Sequence, residues 1–392
     1  MPGPLEGVRV VDCTAIVSGP FGTMLLADQG ADVIKVEVPG IGDLVRYAGA
    51  LQGGMSGGFA VLNRGKRSLV LDLGDERGRT VLHRLIARAD VFAQNFRPGA
   101  AERAGMGYEA LRKVNPELVY LSISGFGESG PYAGKRVYDP IIQGLSGMAA
   151  AQANPATREP DLVRNIVCDK VTGLLAAQAV TAALFARSRG AGGQHIRLAM
   201  LDAAIAFLWP DAMANETWIG APPGLLLSDF YRVTRTADGF MTWFTAADRE
   251  FAGLCRALGR PEWAADPRFA TLAERQKNLL ELQPLLEQEF AKRSTKDLLR
   301  ALEAEDVPCA PVQSVREAIA DPQVVANQSV LESEHPRGGR LREPAPAARF
   351  ERTPARAGGP APALGEHSDE ILAEIGFAPA EIAALRAARV VA

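Results

Sequence analysis

The feature that most constrains the fold is an alternation of strand-like and helix-like segments between residues 7 and 124. It opens with a short apolar strand at 7–12, a helix at 21–29 and a second strand at 32–37. The pattern continues with these segments: strands 68–73, 91–94 and 118–124, and a helix at 76–87. Because parallel strands need a crossover between them, the alternation predicts an α/β fold with a large, doubly wound, Rossmann-like lobe.

The length of the chain predicts a second lobe. Its 392 residues exceed the roughly 250–300 residues at which single cores stop growing. From about residue 220 the sequence changes to a hairpin-like stretch and separate helices, and 336–362 is rich in Pro, Ala, Gly and Arg. We therefore predict a large α/β domain at 1–219, a small α+β domain at 220–330, and a linker with a C-terminal segment at 331–392 that returns to the large domain.

Composition argues against several classes of partner. A net charge of -3 gives no overall attraction to nucleic acid or to acidic membranes. The four cysteines are scattered and form no C-x-x-C pair, which favours a reducing compartment. The chain lacks a signal-peptide pattern at its start, and the apolar run 173–186 is shorter than the roughly 20 residues that span a bilayer. We expect a cytoplasmic protein that binds neither nucleic acid nor membranes.

A dinucleotide-binding pattern, G-x-G-x-x-G, occurs at 125–130 directly after a predicted strand. Pro131 and Gly134 follow where that fingerprint requires a helix, so a loop is the better interpretation. Glu37 nevertheless ends the second strand where a ribose-binding acid would lie, which keeps an NAD-dependent dehydrogenase open as an alternative. The histidines and cysteines lack metal-ligand spacing, so we predict no metal site. No P-loop occurs, so phosphate transfer of the Walker type is not expected.

One carboxylate, Asp169, lies between an apolar, strand-like stretch at 162–168 and a helix-like run that begins at Val171. An aspartate before a helix commonly accepts hydrogen bonds from the first backbone N–H groups. The positive end of a helix beside small residues also suits a carboxylate nucleophile that a ligand can approach closely. The two roles are compatible, and Asp169 is the candidate catalytic residue.

Two basic segments adjoin predicted strands. Residues 63–68, Asn-Arg-Gly-Lys-Arg-Ser, precede one strand, and residues 95–99, Asn-Phe-Arg-Pro-Gly, follow another with Arg103 nearby. Solvated surface charge is the plain interpretation. Both segments lie at strand–loop junctions of one α/β lobe, where such sheets bind ligands, and guanidinium and ammonium groups there could hold phosphates.

Taken together, these segments resemble the family III CoA-transferases, which include formyl-CoA:oxalate and carnitine CoA-transferases. The resemblance spans nearly the whole chain and rests on six ordered motifs: 27–37, 63–68, 95–99, 192–194 (Gly-Gly-Gln), 307–311 (Val-Pro-Cys-Ala-Pro) and 364–370 (Leu-Gly-Glu-His-Ser-Asp-Glu). It implies that Asp169 moves CoA between an acyl-CoA and a carboxylic acid through an aspartyl anhydride and an aspartyl-CoA thioester, without a metal or a tightly bound cofactor.

The resemblance also implies a site for CoA in the large domain and an interlocked homodimer. The residues that would line the CoA site are Ile16, Val17, Leu62, Asn63, Lys66, Asn95, Phe96, Arg103, Arg136 and Tyr138.

Two departures from the formyl-type pattern bear on the substrate. Val17 stands where the formyl enzyme has a glutamine, and the stretch 221–244 lacks a Gly-rich loop. These differences predict an acyl group bulkier than formyl or oxalyl. In a third departure, Val38 replaces a family arginine, which is expected to weaken one contact with the nucleotide of CoA.

A related branch, the α-methylacyl-CoA racemases, has His-Asp where this chain has Tyr138-Asp139. Loss of the histidine removes one proton carrier from a two-base mechanism. A racemase-like isomerase remains the nearest alternative function.

Overall fold

The computed structural model describes residues 2–154 and 157–392. The chain forms two compact units, one of Met1–Leu208 with Ala326–Ala392 and the other of Trp209–Val325. The boundaries predicted at 219/220 and 330/331 lie 11 and 5 residues after these divisions and stay predictions.

The first unit is built on parallel strands. Its strands up to residue 208 are β1 Arg9–Cys13, β2 Asp32–Glu37, β3 Leu51–Gln52, β4 Met55–Ser56, β5 Lys66–Val70, β6 Val91–Gln94, β7 Val119–Ser124 and β8 His195–Ala199. Six of them form a parallel sheet in the order β5-β2-β1-β6-β7-β8, and β3 pairs with β4 in a short hairpin. The predicted α/β class with a parallel central sheet is confirmed.

Strand order reverses between β1 and β6, which makes that point the topological switch of the sheet. Open α/β sheets bind ligands outside the carboxyl ends of their strands at such a point. A binding site is therefore expected at the loops that follow β1 and β6.

Helices connect these strands. They are α1 Ser18–Asp28, α2 Gly57–Leu62, α3 Glu76–Ile86, α4 Ala100–Arg103, α5 Tyr108–Val114, α6 Asp139–Leu145, α7 Met148–Ala151, α8 Val167–Ala186 and α9 Met200–Leu208. Local sequence explains their limits in cases such as α3, where the Asp75 side chain accepts a hydrogen bond from the N–H of Arg77 at the helix start. The apolar face of α3 then packs into the core beneath the sheet.

The second unit is smaller and mixed. Strands β9 Val233–Arg235, β10 Phe240–Trp243 and β11 Cys309–Pro311 form an antiparallel sheet in the order β11-β10-β9. The helices of this region are α10 Asp248–Ala257, α11 Leu272–Lys277, α12 Leu279–Phe290, α13 Thr295–Ala304, α14 Val315–Ala320 and α15 Pro322–Ala326. Their apolar faces, with Phe251, Phe269 and Phe290, make a separate core.

The C-terminal segment belongs to the first unit. It contains the hairpin of β12 Val330–His335 and β13 Gly339–Pro344, an irregular stretch, and helices α16 Ser368–Glu374 and α17 Pro379–Ala387. Gly65 has a φ of 70° and lies so close to this segment that a Cβ on it would be 2.8 Å from the Cα of Gly358. Further along, Ile371 and Leu372 of α16 enter the core beside β5.

The strand predicted at 162–168 is wrong. Residues 162–166 have no strand partner, and α8 already begins at Val167. The side chain of Gln143 binds the backbone here: it accepts from the N–H of Val163 at 2.9 Å and donates to the carbonyls of Val163 and Asn165 at 3.1 and 3.2 Å. Because a side chain satisfies these backbone groups, the apolar stretch needs no neighbouring strand.

Helices α1 and α8 cross in very close contact. A Cβ on Gly22 would lie 2.9 Å from the carbonyl oxygen of Gly173, and a Cβ on Gly173 would lie 2.7 Å from the carbonyl oxygen of Ser18. Only glycine lets the two backbones approach so closely. The crossing brings the first turn of α8 to the amino end of α1.

Helix α8, with the turn that continues it to Ala191, is long and apolar enough to cross a membrane by length and composition alone. Half of its most apolar window is buried within the protein. Core helices with an apolar surface on most sides have the same composition.

Gly173→Ala is expected to destabilise the protein by about 1–3 kcal/mol, because its methyl group would overlap backbone atoms that cannot move independently. The free energy of unfolding in urea measures this. Gly144→Ala is the matched control, since Gly144 lies within α6 and a Cβ there would meet nothing within 4 Å. Equal stability of the two variants would contradict the close crossing.

Candidate functional site

Asp169 occupies the first turn of α8 and is 7% exposed. Its carboxylate accepts hydrogen bonds from the hydroxyl and the backbone N–H of Ser18, the first residue of α1. Within the described residues no lysine, arginine or histidine forms an ion pair with it. Asp169 is therefore a buried carboxylate held by the amino end of a neighbouring helix instead of by a cation.

A second buried carboxylate supports Asp169. Asp139 begins α6, is 5% exposed, and accepts the backbone N–H of Asp169 at 3.0 Å. Gln143, one turn later, donates to the other oxygen of Asp139 at 2.6 Å. Since Gln143 also binds the stretch before α8, these contacts fix the start of that helix.

The electrostatics of this arrangement favour the protonated form of Asp169 more than water does. Burial and, after it, the nearby Asp139 carboxylate raise the pKa of Asp169 to about 6, although the two hydrogen bonds from Ser18 oppose the rise. A carboxylate with a raised pKa is still mostly ionised at neutral pH and is more basic than an exposed aspartate. Such groups cluster at functional sites.

The thiol of Cys168, next to Asp169 in the chain, is unreactive at neutral pH. Burial, with the Asp139 and Asp169 carboxylates, raises the pKa of Cys168 to about 12. Because the thiolate is the reactive form of cysteine, Cys168 is a poor nucleophile at neutral pH. Of these two neighbouring side chains, the carboxylate is the better candidate nucleophile at neutral pH.

The amino end of α1 can stabilise negative charge. Its Ser18 N–H is bound to Asp169, and no described residue accepts a hydrogen bond from the N–H of Val17 or of Gly19. Free N–H groups at a helix start carry partial positive charge. They are suitable donors to an oxyanion formed at the Asp169 carboxyl carbon or on a group attached to it.

The structure brings four of the predicted CoA-site residues together at the switch point. Ile16 and Val17 lie in the loop between β1 and α1, and Asn95 and Phe96 directly follow β6. The Asn95 side chain joins the two loops, because its Nδ2 donates to the carbonyl of Ala15 at 2.7 Å and its Oδ1 accepts from the N–H of Ala15 at 2.9 Å.

Three others lie beneath this region. Leu62 is partly buried against the same small apolar cluster as Ile16. Asn63 and Lys66 are buried, and the Lys66 ammonium lies within 3.0 Å of Asp12 Oδ2, Thr23 Oγ1, Asn63 Oδ1 and the carbonyl of Pro20. A direct contact between Lys66 and CoA, which stays a prediction, would require this group of bonds to open.

The remaining three are at the surface. Arg103 ends α4, and Arg136 and Tyr138 precede α6, with Tyr138 63% exposed. No carboxylate among the described residues pairs with Arg103 or Arg136, so both guanidinium groups are available to phosphates. A cavity of about 150 Å³ opens beside α4, lined by Phe96, Arg97 and Ser122 among others.

Ser18, Asp139 and Gln143 are the site residues that sequence analysis did not single out for this role. Their contacts join positions far apart in the chain, and neither serine nor glutamine marks a site by itself. The described residues contain no group of three or more His, Cys, Asp or Glu side chains that could hold a metal ion.

Comparison with known proteins gives consistent matches. The family model described as CoA-transferase family III matches residues 5–368. The succinate–glutarate CoA-transferase of Agrobacterium fabrum is 38% identical over 384 residues, which cover 95% of this chain and 96% of that protein. The acetyl-CoA:oxalate CoA-transferase of Acetobacter aceti is 37% identical over 335 residues, 84% of this chain and 86% of that protein.

Solved structures agree in fold over the same length. The crystal structure of a CaiB/BaiF family protein from Brucella suis has a TM-score of 0.84 and 35% sequence identity, and the match covers 96% of this chain and 100% of that one.

The raised pKa of Asp169 predicts a pH-dependent stability difference. Its folded-state pKa of about 6 lies above the ordinary 3.8, so ionisation of Asp169 destabilises the fold increasingly as pH rises from about 4 to about 6, with no cost below that window and the full cost above it. The advantage of Asp169→Asn over the parent should therefore grow by about 2–3 kcal/mol from pH 4 to pH 8. Chemical denaturation at several pH values measures this, with exposed Glu109→Gln as the control; a pH-independent difference would contradict the assignment.

Proposed function

The chain belongs to CoA-transferase family III and is an enzyme of that kind, and we propose that it moves CoA between an acyl-CoA and a carboxylic acid with Asp169 as the covalent carrier. The motif-based resemblance to this family is confirmed by the same matches. The observation that carries the proposal is a buried carboxylate of raised pKa, unpaired with any described cation, at the amino end of α1.

The first half of the reaction transfers CoA to the enzyme. An oxygen of Asp169 attacks the thioester carbonyl, the C–S bond breaks, and CoA leaves as the thiolate while an acyl-aspartyl anhydride forms. The thiolate then attacks the carboxyl carbon of Asp169, releasing the donor acid and leaving an aspartyl-CoA thioester. Thioester energy is conserved, so neither step requires a metal.

The second half repeats the exchange in reverse. The acceptor carboxylate attacks the aspartyl thioester and expels CoA thiolate, forming a second anhydride. The thiolate attacks the acceptor acyl carbon, which gives the new acyl-CoA and regenerates Asp169. Each step passes through a tetrahedral oxyanion, for which the N–H groups of Val17 and Gly19 are the candidate donors.

The switch point would receive the CoA. In this proposal Ile16 and Val17 face the thiol end beside Asp169, and the exposed guanidinium groups of Arg103 and Arg136 bind phosphates. The other residues carried over from the resemblance are Leu62, Asn63, Lys66, Phe96 and Tyr138, together with Asn95, whose side chain already binds the backbone of Ala15. CoA enters as a substrate, and no resident cofactor is invoked.

The same proposal extends to assembly and location. We expect an interlocked homodimer in the cytoplasm, with the C-terminal segment packed on the large unit of its own chain as the structure has it.

The two alternative functions have less support from the geometry. Glu37, the candidate ribose ligand of a dehydrogenase, is buried and bound to Arg46 and Ser68. In the racemase-like reading, Asp139 would need a proton-carrying neighbour, whereas Tyr138 is exposed and Asp139 is hydrogen-bonded to Gln143 and the backbone.

Asp169→Asn is expected to lower the rate of CoA transfer by at least about 10³-fold, because no other group in the site replaces the nucleophile. Hydroxylamine added with acyl-CoA should convert Asp169 of the parent to a hydroxamate that peptide mass spectrometry locates. Cys168→Ala is the matched control and should still form the adduct, since its thiol is protonated at neutral pH.

An adduct on Cys168, or transfer by Asp169→Asn at the parent rate, would contradict the proposal. Incorporation of solvent deuterium at the α-carbon of an acyl-CoA without any acceptor acid would favour the racemase-like reaction instead. Absorbance change at the nicotinamide band would favour the dehydrogenase.

The acceptor is expected to be a carboxylic acid of four or five carbons with a second carboxylate. Relatives are named for succinate and glutarate, and Val17 replaces a polar residue of the formyl-type enzymes. A competition assay with mixed succinate, glutarate, oxalate and formate, read by mass spectrometry of the acyl-CoA products, should favour the first two by about tenfold or more. Preference for oxalate or formate would contradict this choice.

A further inference from the structure

We infer that the side chain of Asn95 has a positioning role: it holds the loop of residues 14–17 so that the amino end of α1 points at Asp169, and it does not itself bind CoA. The inference rests on the proposed function, because it assigns the loop a part in acylation of Asp169. It also departs from the role that family resemblance implies for Asn95.

The loop has a backbone conformation that must be imposed from outside. Ile16 has a φ of 72°, in the left-handed region, which β-branched residues disfavour because their Cβ crowds the backbone. Such outliers persist only where surrounding contacts over-determine them. The neighbouring Val17 and Ser18 start α1, so the path of this loop decides where the helix begins.

Side chains from β2 and from two other loops bind successive peptide groups of this loop. Lys35 Nζ donates to the carbonyl of Thr14 at 2.9 Å, and Asp43 Oδ1 accepts from the N–H of Ile16 at 3.2 Å. Asn95 binds the peptide groups on both sides of Ala15, at 2.7 and 2.9 Å. Of these three residues, Asn95 alone makes two bonds to the loop.

The amide of Asn95 matches this task chemically. One bond needs an acceptor and the other a donor, which an amide supplies together. A carboxylate in its place keeps the acceptor but sets an oxygen against the carbonyl of Ala15. Aspartate is therefore a change of nearly equal size that reverses one of the two contacts.

Asn95 is itself held rigidly. Gln94 accepts the N–H of Phe96 at 2.7 Å and donates to the hydroxyl of Ser122 at 3.0 Å. Ser122 in turn lies 2.7 Å from His195 Nε2. These bonds connect the residues after β6 to β7 and β8, so the segment that carries Asn95 is anchored across three strands of the sheet.

Loss of the two bonds between Asn95 and Ala15 would act on Asp169 through Ser18. The hydroxyl and N–H of Ser18 are the donors that oppose the rise of the pKa of Asp169. If the loop relaxes toward an ordinary φ at Ile16, these donors move away from the carboxylate. Acylation should slow, and its acid limb should move to higher pH, while groups that touch CoA elsewhere are unaffected.

The test separates positioning from ligand binding. For Asn95→Ala and Asn95→Asp, calorimetry measures the dissociation constant of CoA, and rapid quench with hydroxylamine measures the rate of acyl-Asp169 formation across pH. We expect acylation to slow by about 10–100-fold, since small misplacements of reacting groups have effects of that size. The dissociation constant of CoA should change less than threefold. The acid limb of the pH profile of acylation should move to higher pH.

Asn115→Ala is the matched control. Asn115 also ties backbone carbonyls through its Nδ2, those of Ile86 and Ala89 at 3.0 and 2.7 Å, but it lies outside the site. It should lower thermal stability without slowing acylation. If Asn95→Ala fails to fold, Asn95→Asp and Asn95→Ser, which keep a polar group, provide the same comparison.

A variant that loses CoA affinity as much as acylation rate, or that changes neither, overturns the inference. The parent enzyme keeps this failure distinct from failure of the proposed function. Absence of any acyl-Asp169 in the parent rejects the transferase mechanism, whereas a parent that acylates normally leaves only the role of Asn95 in question.

Discussion

The close crossing of α1 and α8 is the contact on which the rest of the site depends. Two glycines remove the side chains that would otherwise separate the helices, and the first turn of α8 then meets the amino end of α1. Asp169 is thereby buried without a counter-ion and receives hydrogen bonds from Ser18. Since a helix start carries partial positive charge, the fold offers a carboxylate, and later an oxyanion, a neutral source of stabilisation.

The buried ion pairs near the site stabilise the surrounding loops and do not contact Asp169. Lys35 pairs with Asp43, Lys66 with Asp12, and Arg46 with Glu37, all of them buried. Breaking such a pair leaves an unpaired buried charge, which is costly, so the loops that these residues bind are held firmly. The chain thus holds these three buried cations in ion pairs, and none of them pairs with Asp169.

Part of this arrangement could be predicted from sequence. Apolar alternation gave the parallel sheet, and a charge at the start of an apolar run drew attention to Asp169. The strand expected at 162–168 failed because Gln143, twenty residues earlier, binds that backbone. Lys66 looked like a phosphate ligand because its partner Asp12 is 54 residues away. Ser18 and Asp139 were missed for the same reason: their contacts exist only once the helices cross.

The most direct test of the account follows oxygen atoms through a single turnover. An acceptor acid labelled with oxygen-18 in both carboxylate positions should leave one labelled oxygen in the Asp169 side chain when its anhydride is resolved by CoA. Mass spectrometry of the peptide that contains Asp169 detects it without any trapping reagent. The account predicts one oxygen-18 atom in that side chain. Completed transfer with an unlabelled Asp169 would contradict it.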